Sequence, residues 1–316
     1  MRLEAGLKRA GHDPILQWFP HRYELMPWRL RHVDPPPNTD VIHANSWYAS
    51  SFLRHPLPLV TTVHHLVHDP AFWPYRSPPQ SLYHNYFIRP RELKAILNSN
   101  AVTTVSKFVR TTVMHFSGCN DVETIYNWIP DNDIRSLEDI NVESPSTFNM
   151  LIIGAHSRRK GRDLLEPFVS LLDNDMTLRI VGSTQERFPN LRSNRIQFCG
   201  RLNQNQLFDE YSKCDIVLSL SRYEGFGYTL LEAGHFCKPV VAFDISAIPE
   251  VIVHMKTGIL VPVDRVDLIA AASKRLKNDA ALRKRLGQNA NRFVKKSFQE
   301  RSQVNRYIDI YRQLLE

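Results

Sequence analysis

Short apolar runs alternate with amphipathic stretches in the second half of the chain. Six of the runs are rich in β-branched residues, and three of them end in glycine, where a tight turn forms easily. Stretches with helical periodicity, such as 161–172 and 205–214, lie between them. This alternation predicts a parallel sheet wound with helices. The predicted strands are 150–154, 178–182, 196–200, 215–220, 238–243 and 258–262.

The first half shows the same alternation with more proline. A helix is predicted at 83–99, and the Pro-rich stretches 33–40 and 73–79 are predicted to be loops. The predicted strands are 40–45, 58–65, 101–106 and 122–127.

The polar stretch 130–149 has no hydrophobic period and predicts a domain boundary. A chain of 316 residues is long enough for two domains, each with its own core. The sequence therefore predicts an α/β protein with two doubly wound, Rossmann-like domains and ligands at the carboxyl ends of the strands. The predicted parts are a first domain at 1–145, a second domain at 146–300 and a C-terminal helix at 301–316 that packs on the first domain.

Charge is distributed unevenly along the chain. Residues 1–150 carry 14 Lys+Arg and 14 Asp+Glu, whereas residues 151–316 carry 26 and 18. A basic second half favours an anionic ligand such as a nucleoside diphosphate, or peripheral contact with an anionic membrane face. The alternative is a solvated surface of lysine and arginine. No aromatic-basic motif accompanies the charge, so nucleic acid is not expected as a partner.

Localisation and redox chemistry follow from two further features. No apolar run approaches the ~18 residues of a membrane span, and no secretion signal is recognised at the start of the sequence. A cytoplasmic location is therefore expected, and peripheral attachment to the inner membrane face is an alternative. The four cysteines form no C-x-x-C pair and are expected to be small core residues.

The sharpest candidate site lies at 222–252. A predicted strand ends before the turn Glu224–Gly227, and a helix is predicted to begin near Tyr228. The first N–H groups of a helix and its dipole suit a phosphate, and glycines let a ligand approach the backbone. Glu224 and Glu232 flank this position, where carboxylates can accept hydrogen bonds from sugar hydroxyls. The alternative is a helix cap at Glu224 and an ordinary helix residue at Glu232.

The run EGFGYTLLE, from Glu224 to Glu232, resembles the E-x7-E signature of glycosyltransferase family 4, whose members are retaining enzymes with the GT-B fold. The resemblance covers roughly residues 148–300. MLIIGAHSRRKGRDLL resembles the first donor-domain strand with its basic loop, and RIQFCGRLNQ resembles the nucleobase loop. The first half resembles the acceptor domain less specifically, and the fold implied is two Rossmann-like domains facing across a cleft.

The resemblance implies roles for individual residues. Glu232 would hold the ribose hydroxyls, Glu224 would lie near the donor sugar, and His64 would lie beside that sugar from the first domain. Lys160 would neutralise the leaving diphosphate, where a fixed cation offsets charge in the transition state. Without the resemblance, Lys160 and His64 are also consistent with ordinary surface or core residues. The other implied donor-binding residues are Gly225, Phe226, Gly227, Tyr228, Thr229, Arg158, Arg159, Gly200 and Arg201.

The implied reaction is transfer of a sugar, with retention, from a UDP- or GDP-linked donor to a hydroxyl of a carbohydrate or glycolipid acceptor, in surface polysaccharide or glycolipid synthesis. No metal or other cofactor is expected, since the helix N-terminus and the cations would take the metal's place. His64, His65 and His68 lack a carboxylate at a suitable spacing for a metal site. The D-x-D matches at 131–133 and 173–175 are interpreted as turns.

Two features depart from the family pattern. Ala155 stands where family members usually have an arginine, so one of two expected cations is missing unless Arg158 or Arg159 replaces it. The given sequence also begins inside what resembles the family's first helix, so the strand and glycine loop before it are expected to be missing, either because the start was assigned too late or because the protein is shortened. The alternative function is therefore a degenerate transferase, acting as a nucleotide-binding or partner subunit without activity alone.

Overall fold

The computed structural model describes residues 2–20, 22–130, 147–188, 191 and 193–316. The chain divides into two compact units: unit 1 comprises residues 1–131 and 299–316, and unit 2 comprises residues 132–298. Most of the predicted boundary stretch and the D-x-D match at 131–133 lie outside the described residues.

Unit 1 contains a parallel sheet whose four described strands follow one another in chain order. The second strand, Leu59–Val63, pairs with a neighbour on both sides and is buried along its whole length, as its run of β-branched residues predicts. The last strand has two residues, fewer than the predicted 122–127. The strands are β1 Ile42–Asn45, β2 Leu59–Val63, β3 Ala101–Thr104 and β4 Glu123–Thr124.

The α-helices of unit 1 before the boundary surround this sheet, and three of them have only four to six residues. They are α1 Arg2–Arg9, α2 Arg22–Leu25, α3 Ser46–Ala49, α4 Pro78–Tyr83, α5 Arg89–Asn98 and α6 Lys107–Ser117.

The predicted loop at 73–79 is wrong. A 3-10 helix covers Pro70–Tyr75, and α4 begins at Pro78. Proline suits the first turn of a helix because the N–H that it lacks would have no partner there. Ser77 and Gln80 cap α4 reciprocally, which satisfies two further backbone N–H groups.

The predicted helix at 83–99 is found, but it contains a π-helical turn at His84–Ile88, which lies between α4 and α5. Pro90 explains the interruption, since it has no N–H to donate to the carbonyl of Tyr86 and its ring crowds that carbonyl. The wider turn removes the conflict while the chain remains helical.

The described residues of unit 2 contain six parallel strands, and all six strand predictions are confirmed. The strands are β5 Phe148–Ile153, β6 Met176–Val181, β7 Ile196–Gly200, β8 Ile216–Ser219, β9 Val240–Phe243 and β10 Gly258–Val261. Their order in the sheet is β10-β9-β8-β5-β6-β7. The chain therefore proceeds outward from β5 to β7 and returns to the other side of β5 with β8. Ligands of such doubly wound sheets bind where the strand order reverses, which here is between β5 and β8.

Helices cover this sheet and supply its core. Phe168 and Ile269, from two of these helices, pack with Met150, Leu178 and Leu218 of the strands, and each is at most 2% exposed. The helices are α7 Leu165–Ser170, α8 Gln204–Lys213, α9 Tyr228–His235, α10 Ile248–Val251, α11 Val266–Asn278 and α12 Ala280–Ser297. The two parallel sheets with their helices confirm the predicted α/β class.

The final helix, α13 Glu300–Leu315, is part of unit 1. Its Val304 and Ile308 pack in one cluster with Leu7 of α1. Arg306 forms an ion pair of 2.7 Å with Glu123 of β4. None of the helices in the described ranges is long and apolar enough to cross a membrane.

The cysteine expectation is right only in part. All four thiols are unpaired, but only Cys214 is buried, whereas Cys119, Cys199 and Cys237 are half-buried. Cys119, Cys199 and Cys237 lie at or near the ends of helices and strands, where neighbouring elements cover a side chain only in part.

Candidate functional site

The loops that follow β5 and β8 are bonded to each other at the point where the strand order reverses. The backbone N–H of Arg222 donates to the carbonyl of Arg159 at 2.8 Å, and the Arg159 guanidinium donates to the carbonyl of Tyr223 at 2.8 Å. Gly161 permits this approach. It has φ +76°, and a Cβ there would lie 2.4 Å from the carbonyl oxygen of Leu220. A residue with a side chain cannot occupy this position without moving one of the loops.

The side chain of Arg222 is almost fully buried and connects the two loops. It donates to both carboxylate oxygens of Asp163, at 2.7 and 2.9 Å, to Asp264 at 2.5 Å and to the carbonyl of Arg158 at 2.7 Å. Burial alone would lower the pKa of Arg222, but the hydrogen bonds to the two carboxylates raise it above its ordinary value. Arg222 is therefore a permanent cation that positions the loops.

Two predicted site residues, Lys160 and Glu224, meet as a result. The Lys160 ammonium forms a hydrogen-bonded ion pair with a Glu224 carboxylate oxygen. The side chains are 21% and 14% exposed, so the pair is shielded without being closed to solvent. The backbone N–H of Glu224 donates to the Ser246 hydroxyl at 2.9 Å, and its carbonyl accepts from Ala247 at 3.3 Å. The carboxylate is thus held by the loops after β5, β8 and β9 together.

Helix α9 begins beside this ion pair. Gly227 is its N-cap residue, with φ +98° and no side chain that could cap the helix. The backbone N–H groups of a first helical turn have no partner within the helix, and the helix dipole adds partial positive charge. Tyr228 is exposed and Thr229 half-buried at the start of the helix. This end of α9 can accommodate a phosphate.

Phe226 differs from the other residues of this turn. Its side chain is only 3% exposed and contacts the rings of Tyr228 and Phe298, with centroid distances of 5.8 and 5.6 Å. Its ring therefore stabilises the turn, and its backbone is the part that a ligand could contact. Gly225, on the other side, is half-buried.

Glu232 lies in the second turn of α9 and is half-buried. The hydroxyl of Tyr211, on α8, donates to it at 3.0 Å. The Tyr211 ring is fully buried and stacks on Phe236, with centroids 5.3 Å apart. The tyrosine thereby orients the carboxylate. Sequence reasoning missed Tyr211, because nothing in its position on an amphipathic helix distinguishes it from a core residue.

The candidate replacements for the missing arginine lie in different surroundings. Ala155 is 1% exposed and belongs to the core of unit 2. Arg159 is bonded to the loop after β8, whereas the Arg158 side chain is 72% exposed with its Nε 4.0 Å from Asp163. Arg158 also borders an open cavity of about 390 Å³ with Arg162. Of the two arginines, Arg158 is the more exposed.

The remaining predicted residues belong to another strand end of unit 2 and to unit 1. Gly200 ends β7 with φ +62°, and Arg201 follows it on the surface, three strands from β8. His64 lies in unit 1, where it follows β2 and is exposed.

The described D-x-D match, at 173–175, lies in the loop before β6, at the amino ends of the parallel strands, whereas the ion pair lies in loops that follow their carboxyl ends. Asp173 pairs with Lys274 at 2.7 Å, and Asp175 pairs with Lys277 at 2.7 Å. These contacts agree with the interpretation as a turn. In the described ranges, no three His, Cys, Asp or Glu side chains converge as metal ligands. Independence from metals stays a prediction.

Comparison with known proteins identifies relatives of both units. The chain is 24% identical over 329 residues to N-acetyl-alpha-D-glucosaminyl L-malate synthase from Bacillus anthracis, which covers 95% of this chain and 81% of that protein. It spans only 55% of the length of another relative, an uncharacterized protein in the cps region of Klebsiella pneumoniae.

Two solved structures share the fold. Sucrose-phosphate synthase from Thermosynechococcus elongatus has a TM-score of 0.75 at 22% identity, covering 87% of this chain and 73% of that chain. HepE from Anabaena, in complex with UDP-glucose, has a TM-score of 0.69 at 21% identity, covering 85% and 78%. These similarities confirm the GT-B fold.

The model of the family described as Glycosyl transferases group 1 matches residues 134–293, which is more than half of the chain. The model described as Glycosyltransferase Family 4 matches residues 3–133. The matched ranges contain the ion pair, the start of α9 and His64. The chain therefore belongs to the glycosyl transferases of group 1, a family of transferase enzymes, and carries an amino-terminal part of the family 4 type.

Proposed function

We propose that this protein transfers a sugar, with retention at the anomeric carbon, from a nucleoside diphosphate sugar to a hydroxyl of a carbohydrate or glycolipid acceptor. The observation that carries the proposal is the pairing of Lys160 with Glu224 beside the start of α9, where the strand order reverses. HepE, which shares the fold, was solved with UDP-glucose, and this favours a UDP-linked donor over a GDP-linked one. The Klebsiella relative from the cps region favours a role in surface polysaccharide synthesis.

In the proposed complex, the diphosphate lies against the first turn of α9. The Lys160 ammonium then turns from the Glu224 carboxylate to the diphosphate, whose two negative charges attract it more strongly than one carboxylate does. Glu224, once released, accepts hydrogen bonds from the donor sugar. The ion pair of the unbound protein holds both side chains in place until the donor arrives.

The reaction exchanges one bond of the anomeric carbon for another. The acceptor oxygen bonds to that carbon while the bond to the β-phosphate oxygen breaks, and the acceptor proton moves to the departing phosphate. Lys160 and the α9 dipole stabilise the charge that develops on the leaving group. His64 is assigned to the donor sugar, and no metal is required in this scheme.

Glu232 is assigned to the ribose. Its carboxylate is oriented by Tyr211 and retains acceptor capacity for the two ribose hydroxyls. Arg201 and Gly200, at the end of β7, are assigned to the base.

Calorimetric titration of UDP and GDP, in the presence of a metal chelator, tests the donor site. We expect micromolar binding of one nucleotide. Glu232→Gln should weaken that binding roughly 10- to 100-fold, as for loss of a hydrogen bond to a charged group. Lys160→Ala should weaken it similarly, whereas Lys284→Ala, an exposed change on α12, is the matched control and should leave it unchanged.

Transfer is measured separately with the donor that binds. Glu224→Gln should lower kcat with little effect on nucleotide affinity, because Glu224 contacts the sugar and not the nucleotide. Equal affinity and rate in Glu224→Gln, Glu232→Gln and the unaltered protein would remove the site assignment.

A second candidate function is a nucleotide-binding or partner subunit without activity alone. Ala155 favours it, because this residue is buried in the core and supplies no cation to the diphosphate. Absence of binding to either nucleotide, or binding without transfer to any acceptor, would favour this function over catalysis.

A further inference from the structure

Two aromatic and basic segments of unit 1 stand apart from the rest of its sequence. Residues 14–33 and 70–94 contain ten of the chain's Phe, Trp and Tyr residues, including three of its five Trp. They also contain seven Lys+Arg and only two acidic residues, Glu24 and Glu92, of which Glu92 is fully buried. The charge balance of residues 1–150 as a whole conceals this local excess of cations.

The fold brings the two segments together. Trp28, from the 3-10 helix Pro27–His32, lies 6.0 Å from the ring of Phe87 between centroids. The Arg91 guanidinium lies over both rings, at 5.3 Å from the Trp28 ring and 6.0 Å from the Phe87 ring. Tyr83 stacks on Phe87 at 5.6 Å. One continuous surface therefore joins residues that are almost 60 positions apart in the chain.

The surface is apolar and exposed. Tyr86 is 70% exposed, Leu82 61%, Phe87 42%, Met26 39% and Trp28 36%. Single exposed apolar side chains are common in folded proteins, but a group of them that includes one stacked and one tilted aromatic pair marks a contact surface.

A basic basin adjoins the aromatic rings. It is an open cavity of about 450 Å³, and among the described residues it is lined by Tyr23, Trp28, Arg29, Arg31 and His32, none of which is acidic. The Arg31 guanidinium donates to the His32 ring nitrogen at 3.1 Å. Guanidinium groups with aromatic walls suit a phosphate group whose remaining part is apolar.

We propose that this aromatic-basic surface, formed by Met26–His32 and Leu82–Arg91 with Tyr23, binds the anionic phospholipid surface of a membrane. Tryptophan and tyrosine prefer the boundary between headgroups and acyl chains, and arginine is attracted to anionic headgroups. Exposed Leu82 and Met26 have no ring that could stack on a nucleic-acid base, but they gain from contact with acyl chains. The proposal goes beyond the transferase function, since the surface belongs to unit 1 and its test requires no donor.

Flotation with lipid vesicles tests the proposal on the full chain. We expect binding to vesicles of phosphatidylcholine with 30% phosphatidylglycerol at 0.1 M salt, and loss of binding at 0.5 M salt. Each arginine near a membrane surface contributes about a fivefold increase in binding, so Arg29→Ala/Arg31→Ala should lower the partition coefficient about 25-fold. Tyr86→Ser/Phe87→Ser should lower it by a similar factor through loss of apolar contact.

The control is Lys284→Ala/Arg285→Ala, which removes two exposed cations from α12 of unit 2. It should bind vesicles as the unaltered protein does, although the second half of the chain carries the larger excess of basic residues. Tryptophan fluorescence during thermal unfolding verifies that each variant of unit 1 is folded.

Four outcomes would overturn the proposal. The first is binding to pure phosphatidylcholine vesicles that equals binding to the anionic ones, and the second is a loss of vesicle binding in the α12 control as large as in the unit 1 variants. The third is displacement of the protein from vesicles by an oligonucleotide. The fourth is the absence of vesicle binding together with self-association that the Tyr86→Ser/Phe87→Ser variant abolishes. The last two would assign the surface to nucleic acid or to a second copy of the chain.

Discussion

A buried carboxyl group in unit 1 provides a quantitative test of the structure. Glu92, on α5, is completely buried, accepts a hydrogen bond of 2.6 Å from the Ser46 hydroxyl and lies 3.4 Å from the Nε2 of His68. Burial raises the pKa of Glu92 to about 7, although the Ser46 hydrogen bond opposes the rise. Burial, with the nearby His84, Arg76 and Arg89, lowers the pKa of His68 to about 3.

The two groups oppose each other in their effect on stability. Between pH 4.5 and 7, folded Glu92 keeps a proton that the unfolded chain has lost, so its contribution to the free energy of unfolding falls as the pH rises. Below pH 6.5 the unfolded chain protonates His68 and the folded chain does not until about pH 3, so its contribution falls as the pH falls. Between pH 4.5 and 6.5 the two slopes cancel.

Glu92→Gln removes the pH dependence of stability that comes from Glu92 and leaves the one that comes from His68. A rise in pKa from 4.5 to about 7 corresponds to about 3 kcal/mol at about 1.4 kcal/mol per pH unit. Relative to the unaltered protein, the variant should therefore gain about 3 kcal/mol of stability between pH 4.5 and 7.

Urea unfolding followed by tryptophan fluorescence measures this difference in unit 1 alone, because all five Trp residues lie within residues 1–131. Glu92→Gln/His68→Gln lacks both groups and should run parallel to the unaltered protein between pH 4.5 and 6.5. Parallel curves for Glu92→Gln itself, within about 1 kcal/mol over the whole range, would refute the assignment of Glu92 as a protonated buried carboxyl.

Two further predictions concern the loops of unit 2. Gly161→Ala should destabilise unit 2 by about 3 kcal/mol or more and abolish nucleotide binding, because the added Cβ meets Leu220 and the backbone has φ +76°. The control is Gly118→Ala, at φ +72° in open space, which should lower the free energy of unfolding by only about 1 kcal/mol. Circular dichroism during thermal unfolding compares the two variants. Arg222→Lys should lower stability by about 2 kcal/mol in the same assay and weaken nucleotide binding, since lysine cannot make the two parallel bonds to Asp163; unchanged binding would show that these bonds do not position the site.

The strands were predictable because each is a buried apolar run that ends in a turn signal. All six strands of unit 2 were found in this way, as was α8, whose amphipathic pattern ends near Cys214. The error at 73–79 arose from proline, and proline also explains the π-helical turn within the helix predicted at 83–99. Proline stops a helix in most positions but suits its first turn, and only the surrounding packing decides which applies.

The candidate site was predictable where residue type and chemistry coincide. Glu224, Gly227 and Glu232 lie around one helix start, so a pattern of nine residues contains them. Tyr211 was not predictable, because its hydroxyl reaches Glu232 through the packing of α8 against α9, which a single sequence does not reveal.

The sequence by itself determined the local elements, the glycine-containing turn at the start of α9 and the resemblance to family 4, because these depend on residues that are close in the chain. Only the tertiary structure decided that Lys160 meets Glu224, since their contact depends on β8 returning to the side of β5. It also decided that the aromatic segments of unit 1 form one surface with its own excess of arginine. Contacts between residues about 60 positions apart follow from strand order and helix packing, which physical reasoning on one sequence cannot specify.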